Sequence, residues 1–148
     1  MTLTHTADFT ASHTEPLMPR WHACHRIHGH QWSVSLETSS VEDFTDAESV
    51  SVRVAFFEFD AWVAAVLDRR HLNEVDAALR EQCGPGDVAR WVYETWRHRL
   101  SHLAAVRVSG PSEETRSPGW PGPPRYDRYE VVHRAPATGG DNPSRARA

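Results

Sequence analysis

Two stretches of the chain alternate between apolar and polar residues in the way that half-buried β-strands do. Residues 4–12 alternate loosely and are rich in threonine, which has a high β propensity. Residues 28–38 alternate more strictly and place three apolar side chains on one face, namely Trp32, Val34 and Leu36. The segment between them, residues 14–27, contains two prolines and shows no period, so we predict a loop there.

Residues 50–56 repeat the alternation, because valine occupies positions 50, 52 and 54. This pattern predicts a third extended piece of chain. The acidic residues 42–48, which precede it, are interpreted as a solvated hairpin or loop.

The apolar residues that follow recur at helical spacing. A first helical stripe is predicted from residue 59 to residue 79, beginning with Phe59, Trp62, Val63 and Val66. Glycine and proline at residues 83–86 end this segment, and Asp87 is predicted to be the N-cap of a second helix. The second helix has a broad apolar face that indicates core packing, made of Val88, Trp91, Val92, Trp96, Leu100 and Leu103.

Two short strands are predicted near the end of the chain, at residues 105–109 and 126–133, with a proline- and glycine-rich connection between them. Strands and helices segregated in this order indicate an α+β fold, a sheet with helices on one face. We assign residues 1–134 to this domain. Residues 135–148 carry too little apolar surface to fold and are predicted to be a disordered C-terminal tail.

Length and charge narrow the class of protein. A chain of 148 residues fits one domain with a real core. The formal net charge of −4 argues against a nucleic-acid partner. No apolar run approaches the roughly 20 residues that a membrane span needs, and the first residues lack the features of a secretion signal. We therefore expect a cytoplasmic protein with no nucleic-acid or membrane partner.

The chemistry available to the chain is limited by its composition. All 16 basic residues are arginines, so a lysine Schiff base and a P-loop lysine are excluded. The two cysteines are expected to be reduced thiols rather than a disulfide. Acid–base and metal chemistry must then come from histidine, cysteine, aspartate and glutamate.

The stretch CHRIHGH, residues 24–30, concentrates three histidines and a cysteine in seven positions. On a strand, His28 and His30 project from the same face, about 7 Å apart at the backbone, so their rings can converge on one ion. His13 ends the preceding strand and can supply a third ligand if the two strands pair in antiparallel fashion. Three neutral imidazoles with an open fourth position are typical of a catalytic zinc site. The His-x-His pair alone is weak evidence for a metal.

Three segments together resemble the 6-pyruvoyltetrahydropterin synthase and 6-carboxytetrahydropterin synthase family. FTASH (residues 9–13) matches F-x-A-x-H, CHRIHGH matches C-x3-H-G-H, and LDRRHLN (residues 67–73) matches L-D-H-x-x-L-N in part. The resemblance runs from about residue 7 to residue 108, and more faintly to Tyr129. It implies a tunnelling fold, in which an antiparallel four-stranded sheet is backed by two helices. It also implies homotrimers or homohexamers with active sites at subunit interfaces.

The resemblance further implies roles for single residues. By position, His13, His28 and His30 would bind Zn²⁺, Cys24 would be the active-site thiol, and Asp68 would belong to the proton relay. The alternative for Cys24 is an inert loop cysteine. His22 and His25 match no family motif and are interpreted as solvent-facing loop residues.

The relay departs from the family pattern, in which a histidine follows the aspartate directly. Here Arg69 occupies that position, and a guanidinium cannot accept or shuttle a proton near neutrality. It can instead pair with a carboxylate or phosphate, so Arg69 is a candidate substrate-binding residue. His71 is a candidate substitute for the lost histidine, although on a helix it would point about 200° away from position 69.

The substrate anchor departs as well. The family places its pterin-binding glutamate in V-x-V-x-E-T after the third strand, whereas Gly110 follows the corresponding residues 106–109 here. Glu114 is the nearest candidate, reached through a four-residue insertion, and the alternative is an exposed loop acid. The opening of the second helix also lacks the threonine and glutamate of the family's P-T-x-E-N.

These features predict a divergent zinc-dependent enzyme with lyase or cyclase chemistry. Its substrate would be a pterin-like or other carbonyl-bearing small molecule, for example in a specialised biosynthetic pathway. Two alternatives stay open. One is a genuine 6-carboxytetrahydropterin synthase acting on dihydroneopterin triphosphate, and the other is a non-catalytic zinc-binding scaffold.

Overall fold

The computed structural model describes residues 1–111 and 128–136. Four antiparallel strands form one sheet in the order β1-β2-β3-β4. They are β1 (Thr4–His13), β2 (His28–Thr38), β3 (Leu103–Pro111) and β4 (Arg128–Arg134). Both long strands predicted from the alternation are confirmed, and so are the two short strands, with somewhat different bounds.

Two helices lie between β2 and β3 in the sequence, α1 (Asp46–Trp62) and α2 (Pro85–Trp96). They pack on the apolar face of the sheet, where Trp32, Val34 and Leu36 are fully buried as predicted. Phe59 of α1 meets Trp96 of α2 edge to face, with ring centroids 5.1 Å apart. Each large side chain buried in this layer contributes about 1.5–3 kcal/mol. The predicted α+β architecture is confirmed.

The prediction of an extended piece at residues 50–56 is wrong, because these residues lie inside α1. The helix begins after Thr45, whose hydroxyl accepts a hydrogen bond from the Glu48 N–H, while the Glu48 carboxylate accepts one from the Thr45 N–H. This capping box fixes the start of the helix. The acidic loop predicted at residues 42–48 is accordingly a short 3-10 turn, Val41–Asp43, followed by the cap and first turn of α1.

The burial within α1 follows the helical period and not the strand period. Its buried residues are Val52, Ala55, Phe56 and Phe59, three or four positions apart except for one adjacent pair. Val50 and Val54, which the alternation placed beside Val52, are exposed.

The predicted long helix through residue 79 is also wrong. After Trp62 the chain makes one π turn, Val63–Leu67, and then two 3-10 turns, Leu72–Glu74 and Ala77–Leu79. Between the π turn and the first 3-10 turn, Arg69 takes a left-handed backbone conformation with φ 59°. A continuous right-handed helix contains no such residue.

The second helix is shorter than its apolar pattern indicated, and its cap differs. Gly84 is the N-cap of α2, and Asp87, predicted for that role, lies three residues later. From there the Asp87 carboxylate accepts a hydrogen bond from the Gly84 N–H at 3.0 Å. Leu100 and Leu103 are buried but lie beyond the helix.

Within the described residues, no helix combines the length and the apolar character that crossing a bilayer requires. Residues 112–127, which include the candidate Glu114, and residues 137–148 of the proposed tail lie outside the part of the chain that the structure describes.

Candidate metal centre

The pairing of β1 with β2 brings three histidines together at one end of the sheet. His13 lies directly opposite His28 in the register, and Ala11 lies opposite His30. The ring centroid of His13 is 4.4 Å from that of His28 and 5.4 Å from that of His30. One ring nitrogen from each of the three lies within 4.8 Å of the others. Ligand bonds of about 2 Å to a common ion span this spacing with small side-chain shifts.

The tautomer of each ring is fixed by a main-chain carbonyl. Nδ1 of His13 donates to the Cys83 carbonyl at 2.6 Å, Nδ1 of His28 to that of Arg26 at 2.8 Å, and Nδ1 of His30 to that of Gln31 at 3.0 Å. A carbonyl oxygen only accepts, so Nδ1 carries the proton in each ring and Nε2 carries the lone pair. Metal-binding histidines are commonly oriented by such a bond. The residues present therefore fit a metal ion that takes three nitrogen ligands.

Two of the three rings, those of His13 and His30, lie against a buried tryptophan. His13 and His30 are 1% and 7% exposed, and His28 is half-buried. The Trp32 ring stacks on His30 at 4.4 Å and meets the edge of His13 at 4.8 Å. Its indole N–H donates to the Ala11 carbonyl at 3.3 Å. The tryptophan thus forms a rigid, apolar floor, and the site is most open on the side of His28.

Cys24 lies in a short 3-10 turn, Ala23–His25, just before β2, and is only 4% exposed. Its carbonyl accepts a hydrogen bond from the Glu15 N–H at 2.7 Å. Its own N–H donates to Nδ1 of His22 at 3.1 Å. The interpretation of His22 and His25 as solvent-facing needs correction, because both are half-buried and each ring binds a main-chain group.

The second cysteine contributes its main chain to the centre. Burial raises the pKa of the Cys83 thiol to about 12, and the charges of Asp87 and Glu15 add to that effect. The thiol is therefore neutral, while the carbonyl of the same residue orients His13. A Cβ on the next residue, Gly84, would lie 2.6 Å from Oε1 of Glu15, the end of a flexible side chain that would have to move aside.

The segment of residues 68–71 follows the outer edge of β1 through main-chain contacts. The Arg69 N–H donates to the Thr10 carbonyl at 2.6 Å, and the Ser12 N–H donates to the Arg70 carbonyl at 3.0 Å. The Thr10 N–H donates to the Asp68 carboxylate at 3.0 Å. This edge strand is thereby partly covered.

The side chains of the same segment are more open. The Arg69 guanidinium side chain is 90% exposed, and its Nε lies 4.0 Å from the Asp68 carboxylate. His71 has an extended backbone, so the angle predicted between positions 69 and 71, which assumed a helix, does not apply. Its Nδ1 lies 3.0 Å from the Ser12 hydroxyl. Ser12 and His13 are adjacent on a strand, so their side chains leave opposite faces of the sheet.

Asn73 connects the end of β1 at the candidate metal centre to the turn that follows this segment. Its role was not predicted from the sequence. Its amide oxygen accepts from the Thr14 N–H at 2.9 Å, and its amide nitrogen donates to the Thr14 carbonyl at 2.9 Å and to the Arg80 carbonyl at 3.1 Å. The side chain is buried. Because Thr14 follows His13, Asn73 anchors the end of β1 that carries a candidate ligand.

Comparisons with known proteins agree with this architecture. Residues 2–117 match the family model described as 6-pyruvoyl tetrahydropterin synthase. The 6-pyruvoyl tetrahydropterin synthase of Caenorhabditis elegans is a structural neighbour at 14% identity and a TM-score of 0.55, over 91% of this chain and 95% of that one. An uncharacterized protein of Wolinella succinogenes matches at 16% identity and a TM-score of 0.57, over 88% of this chain and 97% of the other. At these identities the structural likeness shows the fold, and the predicted tunnelling fold is confirmed.

Proposed function

This chain belongs to the 6-pyruvoyl tetrahydropterin synthase family, and we propose that it is a zinc-dependent, lyase-like enzyme with an altered substrate. The observation that carries the proposal is the histidine group, in which a main-chain carbonyl fixes the tautomer of His13, His28 and His30. Carbonyl contacts of this kind orient Nε2 lone pairs toward a common ion.

Zinc is the proposed metal because it binds three imidazoles and leaves a fourth position for substrate. When bound, it would act as a Lewis acid toward a hydroxyl or carbonyl group of the substrate. His13, His28 and His30 would hold the ion, and the Trp32 ring would exclude water from one side.

Cys24 is the proposed proton-transfer group, since it lies on the turn that leads directly into His28. Asp68 is the proposed charged member of the relay. His71 stays a prediction for that relay, with its ring held at Ser12.

The proposed substrate is an anionic, carbonyl-bearing small molecule. Arg69 supports this choice, because its guanidinium is exposed and paired to Asp68 only at 4.0 Å, so it is available to a carboxylate or phosphate. The position that carries the family's relay histidine is thereby converted from a proton carrier to an anion-binding group. Glu114 stays a prediction as substrate anchor.

The direct test is an assay of zinc-loaded protein with dihydroneopterin triphosphate. Chromatography would detect 6-carboxytetrahydropterin or 6-pyruvoyltetrahydropterin. We expect turnover slower than about one per minute, far below the usual range of enzymes. Turnover at or above that rate would return the protein to the ordinary synthase role. Arg69→His is the matched variant, and a gain of turnover in it would show that position 69 is what altered the substrate.

We also propose that the protein assembles as a homotrimer or homohexamer. The sheet ends in β4 and in β1, whose outer edge is covered at residues 10–12 by the segment of residues 68–71. Edge strands are commonly closed by pairing with another subunit. Light scattering at micromolar concentration measures the mass directly. A monomeric mass would contradict the assembly and leave the proposed activity to be judged by the assay above.

A further inference from the structure

The turn that carries Cys24 is closed at its start by a histidine ring. The first N–H groups of any helical turn have no partner inside it, and a side chain usually supplies the acceptor. Here the Cys24 N–H donates to Nδ1 of His22 at 3.1 Å, and the His25 N–H donates to the His22 carbonyl at 3.0 Å. His22 therefore occupies the position of an N-cap, with a ring nitrogen where serine or aspartate would present an oxygen.

The cap helps to fix the main chain of Cys24, which is hydrogen-bonded at both its carbonyl and its N–H. Its carbonyl is held by the Glu15 N–H at 2.7 Å, close to the end of β1. Its N–H is held by His22. The main chain of Cys24 is thus fixed on both sides, and one of the two bonds depends on a side chain that a single substitution can remove.

We infer that His22 is a positioning residue for the Cys24 thiol, a role that rests on the proposed function of Cys24 in proton transfer. The ring accepts through Nδ1, which requires the neutral tautomer with its proton on Nε2. The bond has the same span as the Asx turn, in which the side-chain oxygen of Asn or Asp accepts from the N–H two residues on. Asparagine at position 22 should therefore preserve the contact without the imidazole.

The experiment compares His22→Asn with His22→Leu. The two side chains have similar size, and only asparagine offers an acceptor to the Cys24 N–H. The measurement is the rate at which iodoacetamide alkylates Cys24, followed by mass spectrometry of the peptide that contains it. Cys24 is only 4% exposed, so alkylation requires the turn to open.

Loss of a cap raises the population of the open turn by about fivefold. We therefore expect the alkylation rate of His22→Leu to rise about fivefold, and that of His22→Asn to stay near wild type. His25→Ala serves as a control in the same turn, because its ring binds the Met18 carbonyl at 2.9 Å and leaves the Cys24 contact intact. Its alkylation rate should stay within about twofold of wild type.

Equal alkylation rates in His22→Leu and His22→Asn would overturn the inference, whether both rates rise or both stay at the wild-type value. Zinc content is measured in the same samples and should be unchanged, which separates movement of the turn from damage to the histidine group.

Alkylation needs neither substrate nor turnover. Turnover of dihydroneopterin triphosphate at about one per minute or faster would therefore contradict the proposed function while the role of His22 was still decided. With any substrate that the wild type turns over, His22→Leu should lower kcat more than it changes KM, and His22→Asn should keep kcat near the wild-type value. A kcat that stays at the wild-type value in both variants, or that falls equally in both, would also overturn the inference.

Discussion

The histidine group and the segment of residues 68–71 flank the same strand, β1, but they are held in opposite ways. In the histidine group each ring is buried or half-buried, and its Nδ1 is bound to a carbonyl. In the segment the main chain is bound, at Thr10 and Ser12. Its arginine side chain at position 69, by contrast, is 90% exposed.

This difference indicates which of the two regions can change during divergence. A ring that is buried and hydrogen-bonded cannot be replaced without leaving polar groups unsatisfied. A residue held through its own N–H and its neighbour's carbonyl keeps those bonds whatever side chain it carries. Arg69 can therefore stand where the family has histidine, with the edge of β1 unchanged.

The largest expected effect lies in the histidine group. His28→Ala removes one of three proposed ligands, so we expect zinc affinity to fall by more than about a hundredfold, beyond the loss typical of an orienting partner. Metal analysis after gel filtration measures the bound zinc.

His98→Ala is the matched control, because it removes an exposed imidazole outside the group and should retain full zinc content. Undiminished zinc in His28→Ala would rule out the three-histidine site and remove the contrast between the two regions.

A smaller effect is expected where the two regions meet, at Asn73. Asn73→Leu keeps the approximate size but removes three hydrogen bonds to Thr14 and Arg80. Buried main-chain groups left without a partner cost about 1–3 kcal/mol each, and partial hydration should hold the total loss of unfolding free energy near 2–4 kcal/mol. Urea unfolding measures this loss.

The Asn73 variant should also weaken zinc binding by about tenfold, since Thr14 is joined to His13. Glu74→Ala, at the exposed neighbouring position, should change stability by less than about 0.5 kcal/mol. A large loss of stability with unchanged zinc affinity would show that the two regions are independent.

The strands that carry the histidines were predictable because one face of each is buried. The alternation of apolar and polar residues specifies how β2 pairs with its neighbours, because a shift by one residue would expose Trp32, Val34 and Leu36. The same register places His13 opposite His28. The convergence of His13, His28 and His30 could therefore be predicted from the sequence, once β1 and β2 were expected to pair in antiparallel fashion.

Residues 50–79 could not be predicted in the same way. Val50, Val52 and Val54 alternate like a strand, yet only Val52 is buried, since a helix exposes the other two. The signal that would have corrected this is the capping box from Thr45 to Glu48. The turns after Trp62 are held partly by main-chain bonds to the edge of β1, which leave no trace in the side-chain pattern, and partly by the Asn73 side chain.

The role of His22 also escaped sequence analysis. Its ring accepts from the amide two residues on, a contact expected of asparagine, aspartate or serine. A histidine in a proline-bearing loop gives no such indication by itself.

The smallest expected effect concerns the backbone of the second region. Arg69 has φ 59°, where a side chain with a Cβ costs about 1–2 kcal/mol and glycine costs little. Arg69→Gly also increases the entropy of the unfolded chain, which offsets about 0.4–1 kcal/mol. We expect a net gain of roughly 0.5–1 kcal/mol in unfolding free energy, measured by urea unfolding at matched protein concentration.

Arg70→Gly is the control for this prediction, because Arg70 is adjacent but its backbone is not left-handed. Its side chain donates to the Ala65 carbonyl at 3.2 Å, so glycine there should destabilise the protein by about 1 kcal/mol. Both substitutions remove one positive charge. Changes of opposite sign in their unfolding free energies would therefore show the effect of the left-handed backbone at position 69. If Arg69→Gly destabilises as much as Arg70→Gly, the guanidinium contributes to the fold, and the segment is not held by its main chain alone. If Arg69→Gly stabilises the protein, the wild-type arginine is kept at a cost to stability, as expected if Arg69 serves the proposed binding of an anion.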